Sequence, residues 1–129
     1  MRALKKMAIW MDYSKAYIIE FTDKAREVDI IEVRRDQNNY DENPHLNHQN
    51  QVKEENRKAY FKKLSQYMDG SDKVLLFGPT EAKNELSNLW QEKEQHSLKD
   101  MDIITTGRLS ENQRCRFVNN YFLQTQLTT

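Results

Sequence analysis

The sequence predicts an α/β domain, a mixed five-stranded sheet carrying three helices in the order βββαβαβα. Three observations lead there. Val74-Leu75-Leu76-Phe77 is an unbroken apolar run that stops at Gly78-Pro79 and hands over at once to a helical pattern, as a strand covered on both faces does before a crossover helix. Strand-like blocks crowd the first quarter of the chain, separated by short polar turns. Apolar stripes at helical spacing stand on both sides of the central run.

In chain order, Met7 to Met11 is an apolar run, broken by Asp12-Tyr13-Ser14-Lys15, and Ala16 to Phe21 resumes the pattern, so two strands joined by a turn are expected. In that turn Asp12 reads as a residue bonding its own backbone. Val28 to Val33 reads as a third strand. Its alternation slips at Ile30-Ile31, which fits a bulge or burial on both faces. Tyr60, Phe61, Leu64, Tyr67 and Met68 mark a helix from near Lys53 to Asp69, with Asp69-Gly70 as its stop. The run Val74 to Phe77 is expected at the centre of the sheet. At its end Gly78 permits a sharp turn, Pro79 has no N–H to lose, Thr80 can accept from the first orphan amides, and Glu81 suits the positive end of the helix dipole. The second helix then buries Ala82, Leu86, Leu89 and Trp90. Met101 to Thr105 supplies the fifth strand. Ser110-Glu111-Asn112-Gln113 carries the reciprocal capping-box pattern before a helix that buries Cys115, Val118 and Phe122. The opening strands can be an antiparallel meander, whereas those alternating with helices must run parallel through right-handed crossovers.

Composition limits the function classes. The chain has 129 residues, and its 20 basic and 20 acidic side chains cancel, so no global field draws it to nucleic acid or membrane and any polyanion binding must be local. One domain spanning 1–129 is expected at this length. A mean hydropathy of −0.97 with 31% charged residues indicates a soluble protein. The single cysteine, Cys115, excludes an intrachain disulfide and any site built on several thiolates; its helical setting marks it as a small buried hydrophobe. The apolar stretch after the basic Met1 to Lys6 is too short for a signal-peptide core or a membrane span, so a cytoplasmic location is expected.

Asp36 to Val52 is nearly free of apolar anchors and longer than a structural connection needs. Such a loop is either a solvated connection or a functional one, and it could order on a protein partner. With the junction Gly78-Pro79-x-x-x-Lys83, the opening Ile9-Trp10-Met11-Asp12 and the closing Thr105 to Phe122 segment, the chain resembles the middle domain of archaeo-eukaryotic peptide-chain release factors. It is similar also to Pelota and to small bacterial relatives sometimes labelled translational machinery proteins. The resemblance covers about Lys5 to Phe122 and implies a ribonuclease H-like fold. It further implies a translation-associated factor that meets the ribosome or structured RNA. In true release factors the corresponding loop bears a Gly-Gly-Gln tip that assists hydrolysis of peptidyl-tRNA; here the glycines are Gly70, Gly78 and Gly107, none of them in the loop. The nearest substitute is Gln49-Asn50-Gln51, with Asn50 tolerant of the left-handed region and Gln51 in the catalytic position. The resemblance thus implies a binding factor without that chemistry; the alternatives are peptidyl-tRNA hydrolysis through Gln51, a degenerate ribonuclease H-like nuclease, and a protein-interaction module.

The residues proposed to contact RNA are the amides at Thr80 to Ala82 with Lys83, Arg108 and Arg114 around the third helix, Lys15 in the first hairpin, Arg34 and Arg35 beside the long loop, and Tyr40 as a stacking platform. Tyr13 is a further stacking candidate, whereas Tyr17 alternates with core positions and reads as packing. Asp12 invites comparison with nucleases that hold two metal ions, but Val74 to Phe77 carries no acid and Glu54 and Glu55 have no evident partner. His45-x-x-His48 with Asp41 and Glu42 has donors suited to zinc but no helical frame or thiolate, and no metal is expected there. His96 reads as a solvated residue at a helix end. No P-loop, dinucleotide fingerprint or Ser/His/Asp signature is present, so no cofactor is expected.

Overall fold

β1 (Lys6–Met11), β2 (Lys15–Phe21) and β3 (Ala25–Glu32) form an antiparallel meander, and α1 (Leu46–Asp69), β4 (Lys73–Gly78), α2 (Ala82–Gln91), β5 (Asp100–Thr105) and α3 (Glu111–Leu127) follow. The computed structural model describes residues 4–33, 46–92 and 100–127, with side chains described for 4–33, 53–92 and 100–124. The sheet order is β3-β2-β1-β4-β5, and β4 runs parallel to both its neighbours, β1 and β5. The middle position therefore belongs to β1. The run Val74 to Phe77, expected at the centre, lies beside it as an interior strand buried throughout.

Alternation of side chains divides the core into two layers. Met7, Ile9, Met11, Ile18, Val74 and Leu76 face α1 and α2, where Tyr60, Phe61, Leu64, Met68, Leu86 and Trp90 meet them. Ala8, Trp10, Ile19, Phe21, Leu75 and Phe77 face α3, which contributes Val118 and Phe122. The sheet is covered on both sides, which is why β1 and β4 read as continuous apolar runs. Each fully buried large side chain contributes about 1.5–3 kcal/mol relative to exposure.

Several boundaries differ from expectation for identifiable reasons. In β3 the bulge falls at Val28, because Ile18 pairs with Asp29 while Ile19 pairs with Glu27. Ile31 enters the core, and Ile30 lies exposed opposite Tyr17; the slip in alternation marks an open edge strand and not cover on both faces. α1 begins at Leu46 instead of near Lys53, so residues 46–52, expected in the long loop, form its first turns. Those turns precede Tyr60, the first buried residue of the stripe, and needed no apolar face to reveal them. On α2, Leu89 is exposed, and Lys83 and Ser87 take buried positions with Ala82, Leu86 and Trp90. Ser87 Oγ lies 3.3 Å from Met101 Sδ of β5, so the helix is turned toward that strand. Gly70 ends α1 without a positive φ, and Ser71 N–H closes the turn on Met68 O at 3.0 Å.

The two terminal signals of the later helices are realised. Ser110 Oγ accepts from Gln113 N–H at 3.2 Å, and Gln113 Oε1 accepts from Ser110 N–H at 2.8 Å, closing the capping box of α3. Gly78 has φ 144°, and a Cβ placed there would stand 2.2 Å from Met11 O. Glycine is thus required twice over, by backbone conformation and by the close approach of β1.

Candidate functional site

The carboxyl ends of β1, β4 and β5 share one edge of the sheet, the edge at which open α/β folds bind their ligands. Asp12 stands at its middle, one residue beyond β1. Its Oδ1 accepts from Ser14 N–H at 2.7 Å, Ser14 Oγ at 2.8 Å and Lys15 N–H at 2.9 Å. Its Oδ2 receives Arg108 Nη1 at 3.0 Å, and its backbone carbonyl accepts the Tyr60 hydroxyl of α1 at 2.9 Å. Burial pushes the Asp12 carboxyl up, but the Ser14 and Lys15 amides, the Ser14 hydroxyl and the Arg108 guanidinium outweigh it and hold the pKa below the usual carboxylate value. Burial and the nearby Asp12 charge push the Tyr60 hydroxyl far up, so it stays a neutral donor. The expectation of a turn residue is met, and the pairing with Arg108 adds a tether across the sheet edge.

Arg108 is held in place by its loop. Thr106 N–H bonds Gly78 O at 3.0 Å, Trp10 Nε1 reaches Gly107 O at 3.3 Å, and Arg114 Nη1 reaches Leu109 O at 2.6 Å. Every second residue or so between β5 and α3 is thereby tied to the body of the fold. The Arg108 side chain nevertheless remains 69% exposed, against 4% for Asp12. One guanidinium nitrogen is committed to the carboxylate, and the other donors face solvent as a fork suited to a phosphate or carboxylate.

On the α1 side, the Arg57 guanidinium lies 4.8 Å from the centre of the Tyr13 ring, and the Tyr13 hydroxyl bonds Glu85 Oε2 of α2. That bond, with burial and the Glu85 charge, raises the Tyr13 pKa. Tyr13 is therefore engaged on a ring face and at its hydroxyl, which corrects its reading as a free stacking platform.

The start of α2 also differs from the expected anion site. Ala82 N–H is taken by Thr80 Oγ1 at 3.2 Å, as the sequence implied, and Asn84 and Glu85 N–H both turn to Glu81 O at 2.9 and 3.0 Å. Lys83 is 1% exposed, and its Nζ donates to Thr80 O at 2.6 Å. It closes its own helix start and is shielded from any phosphate. Glu81 is the exposed charge there, and with half-buried Glu85, which accepts from Tyr13, it would repel an anion.

Arg114 is likewise committed. It is buried, bidentate to Glu27 with Nη2 to Oε1 at 3.1 Å, and its guanidinium lies 3.5 Å from the Tyr17 ring centre. Burial lowers its pKa, but the bond and charge of Glu27 more than offset this and raise it. Tyr17 packs there as expected, also 5.6 Å from Trp10, and half-buried Lys15 leans over the same ring at 5.6 Å. Of the RNA-contact candidates with described side chains, Arg108 is the exposed one; Lys83 and Arg114 are buried structural cations, for want of any sequence signal separating a buried lysine from a surface one.

Arg34, Arg35, Tyr40, Asp41, Glu42, His45 and His96 lie outside the described residues, as do the side chains of His48 and Gln51. The backbone of Gln49-Asn50-Gln51 is helical, so these residues occupy a turn of α1 and not a left-handed loop tip. Among the described residues no group of three His, Cys, Asp or Glu side chains could hold a metal ion. No described helix is long and apolar enough to cross a membrane.

Comparison with solved structures places this architecture. The chain has the fold of a Pelota domain. It superimposes on the Pelota protein of Thermoplasma acidophilum with a TM-score of 0.57 over 89% of its length at 14% identity, and on Archaeoglobus fulgidus Pelota with a TM-score of 0.55 over 98% at 10% identity. It spans about a third of those chains, 32% and 36% respectively. No protein-family model matches the sequence, and no curated protein matches it. The likeness to Pelota therefore lies in the fold, and the expected element order and topology are those of the structure.

Proposed function

We propose that the chain is a cytoplasmic, bacterial translation-associated factor of the release-factor middle-domain type, which binds the ribosome or structured RNA and cleaves no bond. The single observation that carries this reading is the likeness to part of the Pelota fold across 89% and 98% of the chain in two comparisons. The carboxyl edge supports it with Arg108, an exposed cation positioned in advance by Asp12, Trp10, Gly78 and Arg114, so little ordering entropy is lost on contact. The helical backbone at 49–51 supports binding over hydrolysis, because a rigid helix turn does not offer the glycine-like approach that the ester chemistry needs.

The test is co-sedimentation with ribosomes, with a parallel pull-down from native lysate treated or untreated with nuclease. The reading expects co-sedimentation that weakens between about 0.05 and 0.3 M salt, since phosphate contacts release counterions. Capture of one protein regardless of nuclease would replace it with a protein-interaction module. Cleavage of a model peptidyl-tRNA that survives Gln49→Ala and is lost in Gln51→Ala would replace it with the hydrolase.

A further inference from the structure

The sheet ends in two edge strands, and they are built differently. β3 is blunted: a bulge at Val28 breaks its ladder, Asp29 Oδ1 accepts the Ile30 N–H at 2.8 Å, and the Tyr67 hydroxyl holds the other oxygen of that carboxylate. A strand arriving there meets an interrupted edge and an amide already taken. β5 has neither device. Its residues keep one register with β4 from Asp100 to Thr105, and among the described residues it has no second neighbour.

Thr106 N–H donates to Gly78 O at 3.0 Å, so alternation along this parallel ladder turns the backbone groups of Asp102 and Ile104 toward β4. Those of Met101, Ile103 and Thr105 then face outward. The side chains make the same strand look unfinished. Met101 packs with the α2 layer and Ile104 with the α3 layer, the two-faced apolar character of an interior strand, yet both are only half-buried and Ile103 is 38% exposed. Phe117 and Tyr121 of α3, also half-buried, extend the strip. The acids of β5 do not guard it. Lys73 Nζ lies 3.7 Å from Asp100 Oδ2, and the Tyr121 hydroxyl donates to Asp102, so both carboxylates are engaged within their own chain.

The sequence of β5 fits a second copy of itself. About a two-fold axis through Ile103, antiparallel pairing sets Ile103 against its own copy, Met101 against Thr105 and Asp102 against Ile104. Every outward-facing residue then meets another, as an antiparallel ladder requires, and no like charges are opposed. Neighbouring registers are worse. An axis on Asp102 would set that carboxylate against its own copy, and one on Ile104 would set Met101 against Gly107, whose carbonyl is tied back to Trp10 Nε1. Twenty basic and twenty acidic side chains also leave two copies without net repulsion.

We propose that two copies of this chain pair β5 against β5, antiparallel about a two-fold axis through Ile103, joining their five-stranded sheets into one. This goes beyond the translation-associated reading and does not rest on it.

The experiment is sedimentation equilibrium of the full chain over about 1–300 μM, the range in which an interface of this modest size dissociates. The mass is expected to rise with concentration from 15.5 kDa toward twice that value. Ile103→Lys, which sets two ammonium groups against each other on the axis, should weaken the dimer at least about tenfold, whereas Ile103→Val should keep it. Ile103 is exposed in the single chain, and an unchanged circular dichroism melt of the dilute Lys variant shows that the loss is not unfolding. Crosslinking tests the register independently. In a Cys115→Ser background, Ile103→Cys should oxidise to a disulfide-linked dimer, because directly opposed residues of a hydrogen-bonded pair have Cα atoms about 5.5 Å apart, within disulfide reach. Ile30→Cys, on the blunted edge, should stay monomeric. A monomer throughout the range, a dimer that Ile103→Lys leaves intact, or crosslinking through Ile30→Cys as fast as through Ile103→Cys would each overturn the proposal.

Discussion

Replacing Asp12 by alanine tests the organisation of the carboxyl edge most directly. The carboxylate accepts two backbone amides of the β1–β2 turn and one hydroxyl through Oδ1, and one guanidinium through Oδ2. Hydrogen bonds to a charged acceptor contribute about 1.5–3 kcal/mol each, and the lower figure applies to the half-buried Ser14 and Lys15 amides, so the turn bonds together amount to about 3 kcal/mol. The Arg108 partner is mostly exposed, and such a pair is worth about 0–1 kcal/mol. Asp12→Ala should therefore destabilise by about 3 kcal/mol, and Arg108→Ala by less than about 1, against a total of about 5–15 for a domain. Urea unfolding followed by circular dichroism measures both. The pH dependence supplies the sign: the folded pKa lies below the ordinary 3.8, so the contribution is complete above that value and is lost as pH falls through the folded pKa. Asp12→Asn, which keeps the Oδ1 acceptor and removes the charge, should show a constant deficit from neutral pH to about pH 5 that shrinks below about pH 4. Equal losses in Asp12→Ala and Arg108→Ala, or a deficit in Asp12→Asn that grows on acidification, would refute the argument.

Three further outcomes follow from the packing. Gly78→Ala should cost more than about 3 kcal/mol, the sum of a positive-φ penalty and the collision with Met11 O, whereas Gly107→Ala, whose Cβ meets nothing within 4 Å, should stay within about 0.5 kcal/mol in the same urea assay. Ser110→Ala opens the capping box of α3 and should cost about 1 kcal/mol; an unchanged urea midpoint would contradict the bonding described. Cys115 is half-buried, and burial with the charges of Glu27 and Glu111 raises its thiol pKa, so a disulfide reagent near neutral pH should label it slowly in the folded chain and rapidly in urea.

Where physics repeats along the chain, the sequence made the fold legible. β1 and β4 announced themselves as apolar runs because cover on both faces leaves no room for polar side chains, and Tyr60, Leu64 and Met68 announced α1 because one stripe meets the sheet. The start of α1 was hidden because the sequence of residues 46–52 carries no apolar stripe at helical spacing. The bulge at Val28 was displaced from the visible slip at Ile30-Ile31 because register is set by the partner strand, which local alternation does not contain. The site fared worse for the same reason. Asp12 and Arg108 are 96 residues apart, and their meeting depends on the strand order β1-β4-β5. Tyr13 and Glu85 meet only once α2 lies over β4 beside α1.

The cations show how far net charge can mislead. Zero overall charge argues against a long-range field, yet it constrains neither which basic groups are buried nor how the remainder are distributed. Folding removes Lys83 and Arg114 from the surface by capping one on Thr80 O and pairing the other with Glu27. The start of α2, which looked like an anion site, ends up closed with Lys83 buried, while Arg108 keeps an exposed guanidinium at the sheet edge. If binding runs through the exposed Arg108, ionic strength must govern it, and Arg108→Gln should flatten the salt slope of ribosome co-sedimentation by about 1, with Lys83→Met leaving it unchanged because that ammonium never faces solvent.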